Sequence, residues 1–122
     1  MAKILIVDDE EAVRNMVKKM LSMAGYDTVC AKDGNEAIRL WGQENPDLIL
    51  LDIIMPEKDG LETVIEIRKK ASDTRIIAYT GGGPFSPDEL LSTAKLLGCC
   101  SVLSKPLRSD ELISAVQEAL ES

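Results

Sequence analysis

Four places in the 122-residue chain combine side chains that could do polar chemistry: Asp8-Asp9-Glu10, Asp52, Thr80 and Lys105. Like charges ~4 Å apart repel by about 4 kcal/mol at an effective dielectric near 20. The chain has no His, so carboxylates gathered together would call for a cation. Hard oxygen donors suit Mg2+, which keeps several waters and takes one or two carboxylates along with phosphate oxygens. A Mg2+ held this way would neutralise a transferring phosphoryl group. Lys105 would be a second positive centre, and Thr80 a hydrogen-bond donor to a phosphoryl oxygen.

Taken singly, each group has a plainer reading. Asp8-Asp9-Glu10 would favour the positive N-terminus of a following helix. Asp52, shortly before Met55-Pro56, could be a turn residue, as could Thr80 beside three glycines. Lys105 could be a solvated charge. What raises the chemical reading is where the four fall along the chain.

Each follows a short apolar run. Ile4–Val7, Thr28–Cys30, Leu48–Leu51, Arg75–Tyr79 and Ser101–Ser104 read as five strands. Between them come helical patterns. Val13, Met16, Val17, Met20, Leu21 and Ala24 recur at three- and four-residue spacing, and Gly25 ends that helix. Asp33 and Glu36 make a capping box for a second helix, which Pro46 closes. Gly60 precedes a third. Ser86-Pro87-Asp88-Glu89 opens a fourth with Ser as cap and Pro at its first position. Ser109 caps a fifth. Strict alternation implies parallel strands with helices on both faces, and the unbroken apolar first and third strands fit burial on both sides. Ligands of open parallel sheets bind beyond the carboxyl ends of the strands. Asp8-Asp9-Glu10, Asp52, Thr80 and Lys105 stand at those ends of strands one, three, four and five.

Composition sets outer limits. Residues 1–122 fit one domain with a core of its own, and with 3% aromatics that core must be aliphatic. A formal charge of −7 argues against direct nucleic-acid binding. The absence of His excludes triads and zinc sites that need it. Cys30, Cys99 and Cys100 are too few and badly spaced for a disulfide framework; Cys99-Cys100 could be a redox pair but reads rather as small buried residues at a strand start, in a reducing, cytoplasmic setting. No apolar run approaches the ~20 residues of a membrane span, and the N-terminus does not read as a signal peptide.

Val7-Asp8-Asp9-Glu10, Leu50-Leu51-Asp52 with Met55-Pro56 and Asp59-Gly60, Tyr79-Thr80-Gly81, and Lys105-Pro106 together resemble the receiver domain of two-component response regulators over essentially the whole chain. The resemblance implies a flavodoxin-like α/β fold, doubly wound, with strand order 2-1-3-4-5. It also implies that Asp52 accepts a phosphoryl group from a phosphohistidine on a sensor histidine kinase or a histidine phosphotransfer protein. Asp8, Asp9, Asp52 and the backbone carbonyl of Ile54 would hold Mg2+, Asp9 more directly than Asp8. Thr80 and Lys105 would engage the phosphoryl oxygens. Such a domain is a phosphorylation switch rather than an enzyme. It changes its surface around the fourth and fifth helices to control a partner or an output domain, and the chain could be complete or an excised receiver.

The chain departs from the family pattern in three places. Val102 stands where an aromatic often precedes the Lys. The Gly81-Gly82-Gly83-Pro84-Phe85 loop is long, with Phe85 expected to pack beneath it. Ile54 and Gly82 offer no side chain to orient an attacking water, so self-dephosphorylation should be slow. Two rival functions remain. An aspartyl-phosphate phosphohydrolase would want an acid where Ile54 stands. An FMN carrier would want a phosphate loop where Asp8-Asp9-Glu10 stands.

Overall fold

The computed structural model describes residues 2–53, 60–71, 73–80 and 86–121. Ile54, Met55-Pro56, Asp59 and the Gly81–Phe85 loop, all singled out above, lie outside the described residues. Five strands and five helices alternate among the described residues. They are β1 (Lys3–Val7), α1 (Glu11–Met23), β2 (Asp27–Ala31), α2 (Gly34–Glu44), β3 (Leu48–Asp52), α3 (Gly60–Lys70), β4 (Ile76–Thr80), α4 (Pro87–Leu96), β5 (Ser101–Ser104) and α5 (Ser109–Glu121). All ladders are parallel and the order is β2-β1-β3-β4-β5, as expected.

Alternation along each strand sorts the core into two sides. Ile4, Ile6, Leu48, Leu50, Ile77 and Tyr79 meet Val17 and Leu21 of α1 and Leu112 and Val116 of α5. Leu5, Val7, Ile49, Leu51 and Ile76 meet Ala37 of α2 and Val64 and Ile67 of α3. A smaller cluster, Ile53 with Ala78, gathers Leu61, Cys99 and Val102. Strands β3 and β4 are buried along their whole length, which explains their apolar runs.

Local signals set the helix ends. Gly25 at φ 94° closes α1: its N–H reaches the Ser22 carbonyl, and the Tyr26 N–H reaches that of Leu21. This is the Schellman pattern. Asp33 accepts from the Glu36 N–H at 2.8 Å, but Glu36 returns its bond to the Lys32 N–H rather than to Asp33, so the expected box is offset by one residue. Ser86 caps α4 by accepting from the Glu89 N–H at 3.2 Å.

Three expectations need correction. Gly60 and Ser109 are the first residues of α3 and α5 rather than residues ahead of them. Ser109 therefore does not cap α5; at the start of that helix the Arg108 carbonyl accepts from the Leu112 N–H. Cys100 is exposed, not buried; it enters the sheet through its N–H to the Ile76 carbonyl, which leaves its side chain at the surface.

Candidate functional site

The two-residue repeat that sorts the core also aims the polar side chains. Asp8 continues Ile4 and Ile6, Asp52 continues Leu48 and Leu50, and Lys105 continues Leu103, all on the α1/α5 side. Thr80 follows Ile76 and Ala78 and has the opposite parity. The carboxyl edge thus gathers Asp8, Asp52 and Lys105 on one side and sets Thr80 on the other. Thr80 is buried, and its carbonyl accepts the Lys105 N–H at 2.9 Å.

Lys105 reaches across β4 to β3. Its Nζ lies 3.0 Å from Asp52 Oδ2, 3.4 Å from Asp8 Oδ2 and 3.5 Å from Glu10 Oε1. On the way it passes over the Tyr79 ring, 5.4 Å from the centroid, a cation–π distance. Burial by itself would lower the lysine's pKa. The hydrogen bond and charge of Asp52, joined by Asp8 and Glu10, outweigh burial and hold it above its ordinary value. Lys105 is therefore a fixed cation.

Asp8 is fully buried and Asp52 nearly so, and buried carboxylates need donors. Asp8 Oδ1 accepts from the Glu10 N–H at 2.8 Å, and Oδ2 accepts from the Tyr79 hydroxyl at 2.7 Å. The Asp8 carbonyl accepts from Arg14 at 2.7 Å. Burial first, then the charge and hydrogen bond of Asp8, push the Tyr79 phenol far up, so it remains a proton donor.

Asp9 and Glu10 are exposed above Asp8. One carboxylate oxygen from each of Asp8, Asp9 and Glu10 lies within 4.8 Å of the other two. This all-oxygen, fully acidic set fits Mg2+. Asp52, expected among the ligands, stands outside that close trio and is joined to Asp8 through Lys105. The Ile54 carbonyl lies outside the described residues.

Gly60 holds the Asp52 end of β3 in place. Its N–H donates to the Ile53 carbonyl at 2.6 Å. A Cβ at this position would fall on the Asp52 carbonyl oxygen and 2.5 Å from Ile53 Cα, so α3 starts against the end of β3 only because residue 60 is glycine.

Tyr79 and Arg14 did not stand out as site residues in the sequence, and Glu10 stood there only as part of an acidic run. One signal for Tyr79 was available. It sits opposite Asp52 in the β3–β4 register, and a buried phenol ordinarily finds an acceptor.

Comparison with known proteins agrees with this fold. The family described as "Response regulator receiver domain" matches residues 4–117, and the chain belongs to that family. It is 42% identical over 118 residues to "Probable transcriptional regulator ycf27" of Guillardia theta, covering 97% of this chain and 45% of that protein. Among solved structures it is similar to the response regulator TrrA of Thermotoga maritima, crystallised with Mg2+ and BeF, at 36% identity and TM-score 0.84, covering 98% of this chain and 100% of that one. It is also similar to the chemotaxis protein CheY4 of Vibrio cholerae, at 34% identity and TM-score 0.88, covering 98% and 99%. The chain spans less than half the length of the first curated relatives it matches. Among the described residues, no helix is long and apolar enough to cross a membrane.

Proposed function

We propose that residues 1–122 form one receiver unit and that Asp52 accepts a phosphoryl group from a phosphohistidine on a sensor histidine kinase or histidine phosphotransfer protein. The observation that carries this is the 3.0 Å contact between Lys105 Nζ and Asp52 Oδ2, in a pocket shared with the buried Asp8. An Asp52 oxygen forms a bond to phosphorus, the phosphorus–nitrogen bond of the donor breaks, and the imidazole leaves as its neutral form after taking a proton. The product is an acyl phosphate on Asp52. Lys105 balances charge on the transferring oxygens, and Thr80, which starts from the opposite side of the sheet edge, moves toward the phosphoryl group to donate its hydroxyl to one of them. Asp8 and Asp9, with Asp52 and the Ile54 carbonyl, would hold Mg2+. Bound there, it supplies charge neutralisation to the phosphoryl group and orients it for in-line transfer.

The phosphoryl group adds about −1.5 to −2 charges beside Lys105. It shifts the population of two surface states around α4 and α5, and so governs a protein partner or an output domain of a longer protein. The chain acts in the cytoplasm as a phosphoacceptor and not as a turnover enzyme. Its acyl phosphate is long-lived, because Ile54 and Gly82 bring no side chain to orient water.

Incubation with acetyl phosphate and Mg2+, followed by intact mass, tests this. One added phosphoryl group is expected, lost in Asp52→Ala and on chelation of Mg2+. Unchanged labelling of Asp52→Ala would sink the reading. Repeated turnover of a phosphomonoester would favour a phosphohydrolase instead.

A further inference from the structure

The Asp8 carboxylate stands between two donors of different kinds. Its Oδ2 accepts from the Tyr79 hydroxyl at 2.7 Å, and Lys105 Nζ lies 3.4 Å from the same oxygen. The lysine's own hydrogen bonds go instead to Asp52 at 3.0 Å and, longer, to Glu10 at 3.5 Å. Lys105 thus has two buried carboxylates in reach and sits closer to Asp52.

We propose that Tyr79 is a positioning residue that keeps Lys105 on Asp52 by occupying the Asp8 oxygen that would otherwise draw the lysine away. This rests on Asp52 being the phosphoryl acceptor. Asp8 is fully buried, and a buried carboxylate that loses a donor bears the desolvation cost of that oxygen. The nearest group able to replace the phenol is the Lys105 ammonium, which has three protons to give. Moving it toward Asp8 lengthens its contact with Asp52 and sets a fixed cation on an oxygen of the metal-binding trio. The Tyr79 ring works in the same direction, because it lies under the ammonium at 5.4 Å and limits the path the lysine takes.

Two consequences follow for a chain with Phe at this position. Lys105 competes with Mg2+ for Asp8, so the metal binds more weakly. While Asp8 is free of metal, Asp52 loses its closest cation, so phosphoryl transfer slows at limiting Mg2+ and recovers as the metal displaces the lysine from Asp8. Phe keeps the ring and its packing, which separates the hydroxyl from the core.

The test is a double-mutant cycle on Mg2+ affinity, measured by calorimetry on unphosphorylated protein, with wild type, Tyr79→Phe, Lys105→Met and the double variant. Each variant is first shown by circular dichroism to melt cooperatively, and labelling by acetyl phosphate is followed by intact mass. Tyr79→Phe is expected to weaken Mg2+ about tenfold, the low end of the scale of one hydrogen bond to a charged group, and to slow labelling at limiting Mg2+, with recovery at saturating Mg2+. In the Lys105→Met background the same substitution should leave Mg2+ affinity unchanged, because the competing cation is gone. An equal loss in both backgrounds would show that Tyr79 only supports the packing around Asp8, and would overturn the proposal. Wild-type affinity in Tyr79→Phe would overturn it too. Wild-type protein that gains no Asp52-dependent mass would instead defeat the phosphoacceptor reading, and the proposal with it.

Discussion

Lys105, the residue after β5, sets its ammonium 3.0 Å from the carboxylate of Asp52, the last residue of β3. A whole strand, β4, lies between those two elements. The contact exists because the extended Lys105 side chain and the shorter Asp52 side chain together bridge two strand spacings, about 9.6 Å, and because alternation puts Asp52, Tyr79 and Lys105 on the same side of the sheet. Lys105 thereby offsets two buried carboxylates, Asp8 and Asp52.

Removing that cation should make stability depend on metal. Lys105→Met keeps the side-chain bulk but leaves Asp8 and Asp52 without their shared positive partner. Breaking a buried ion pair from one side costs about 3 kcal/mol. We expect a loss of that size by urea unfolding in chelator, and a clearly smaller one in millimolar Mg2+, which can replace the missing charge. A loss that is the same with and without Mg2+ would show that the acidic trio does not take the metal.

The fold was legible because every strand run and every helix pattern had its own local signal. Ile4–Val7 and Leu48–Leu51 had to be buried on both faces, and Gly25 and Ser86 had to end and start helices. Boundaries were less legible. Ser109 looks like a cap, yet it is the first residue of α5, because a serine is as acceptable at the start of a helix as ahead of it. The strand-end position of Asp8, Asp52, Thr80 and Lys105 was readable from the alternation of elements. Their separation onto two sides was not, since it needs the observed strand bounds to set parity: Thr80 belongs to β4, one residue beyond the expected end. The Tyr79–Asp8 hydrogen bond spans 71 residues, and no local pattern carries it.

Gly60 should tolerate no side chain. A Cβ there meets backbone atoms of Asp52 and Ile53, which cannot turn aside as a flexible side chain would. Overpacking of a tight site costs about 1–3 kcal/mol and occasionally more. Gly60→Ala is expected at the upper end of that range by urea unfolding. It should also slow labelling by acetyl phosphate, because the displaced backbone carries the Asp52 carboxylate. An unperturbed labelling rate would mean that α3 gives way rather than β3.

Arg68 should act as the clamp between α3 and the end of α4. Its guanidinium donates to the carbonyls of Leu97 at 2.9 Å, Thr74 at 2.5 Å and Gly98 at 2.8 Å. The Leu97 carbonyl is one that the C-terminus of α4 leaves open, Gly98 follows it, and Thr74 lies between α3 and β4. Arg68→Ala should cost about 2 kcal/mol, the scale of charged hydrogen bonds shared with solvent. Arg68→Lys should recover only a small part, because an ammonium lacks the planar fork that serves three separate acceptors. Full recovery in Arg68→Lys, measured by urea unfolding, would show that charge near the end of α4 matters and the fork does not.

Alkaline pH should loosen the fold through groups that hold their protons more tightly when folded. Burial pushes the Cys99 thiol up to about 11 from an ordinary 9.0, against a smaller opposing effect of Arg68. Lys105 is also raised, by carboxylates that outweigh its burial. For both groups the folded state binds more protons than the unfolded state between the ordinary and the raised pKa. The Cys99 contribution to stability is therefore complete below about pH 9 and that of Lys105 below its ordinary 10.5, and each is lost as pH rises through the folded value. We expect the melting temperature to fall between about pH 9 and pH 11, and Cys99→Ala to remove part of that slope. Equal slopes in wild type and Cys99→Ala would assign the alkaline transition to the Lys105 cluster alone. A melting temperature flat across the whole range would mean that neither group's proton is held more tightly in the folded chain.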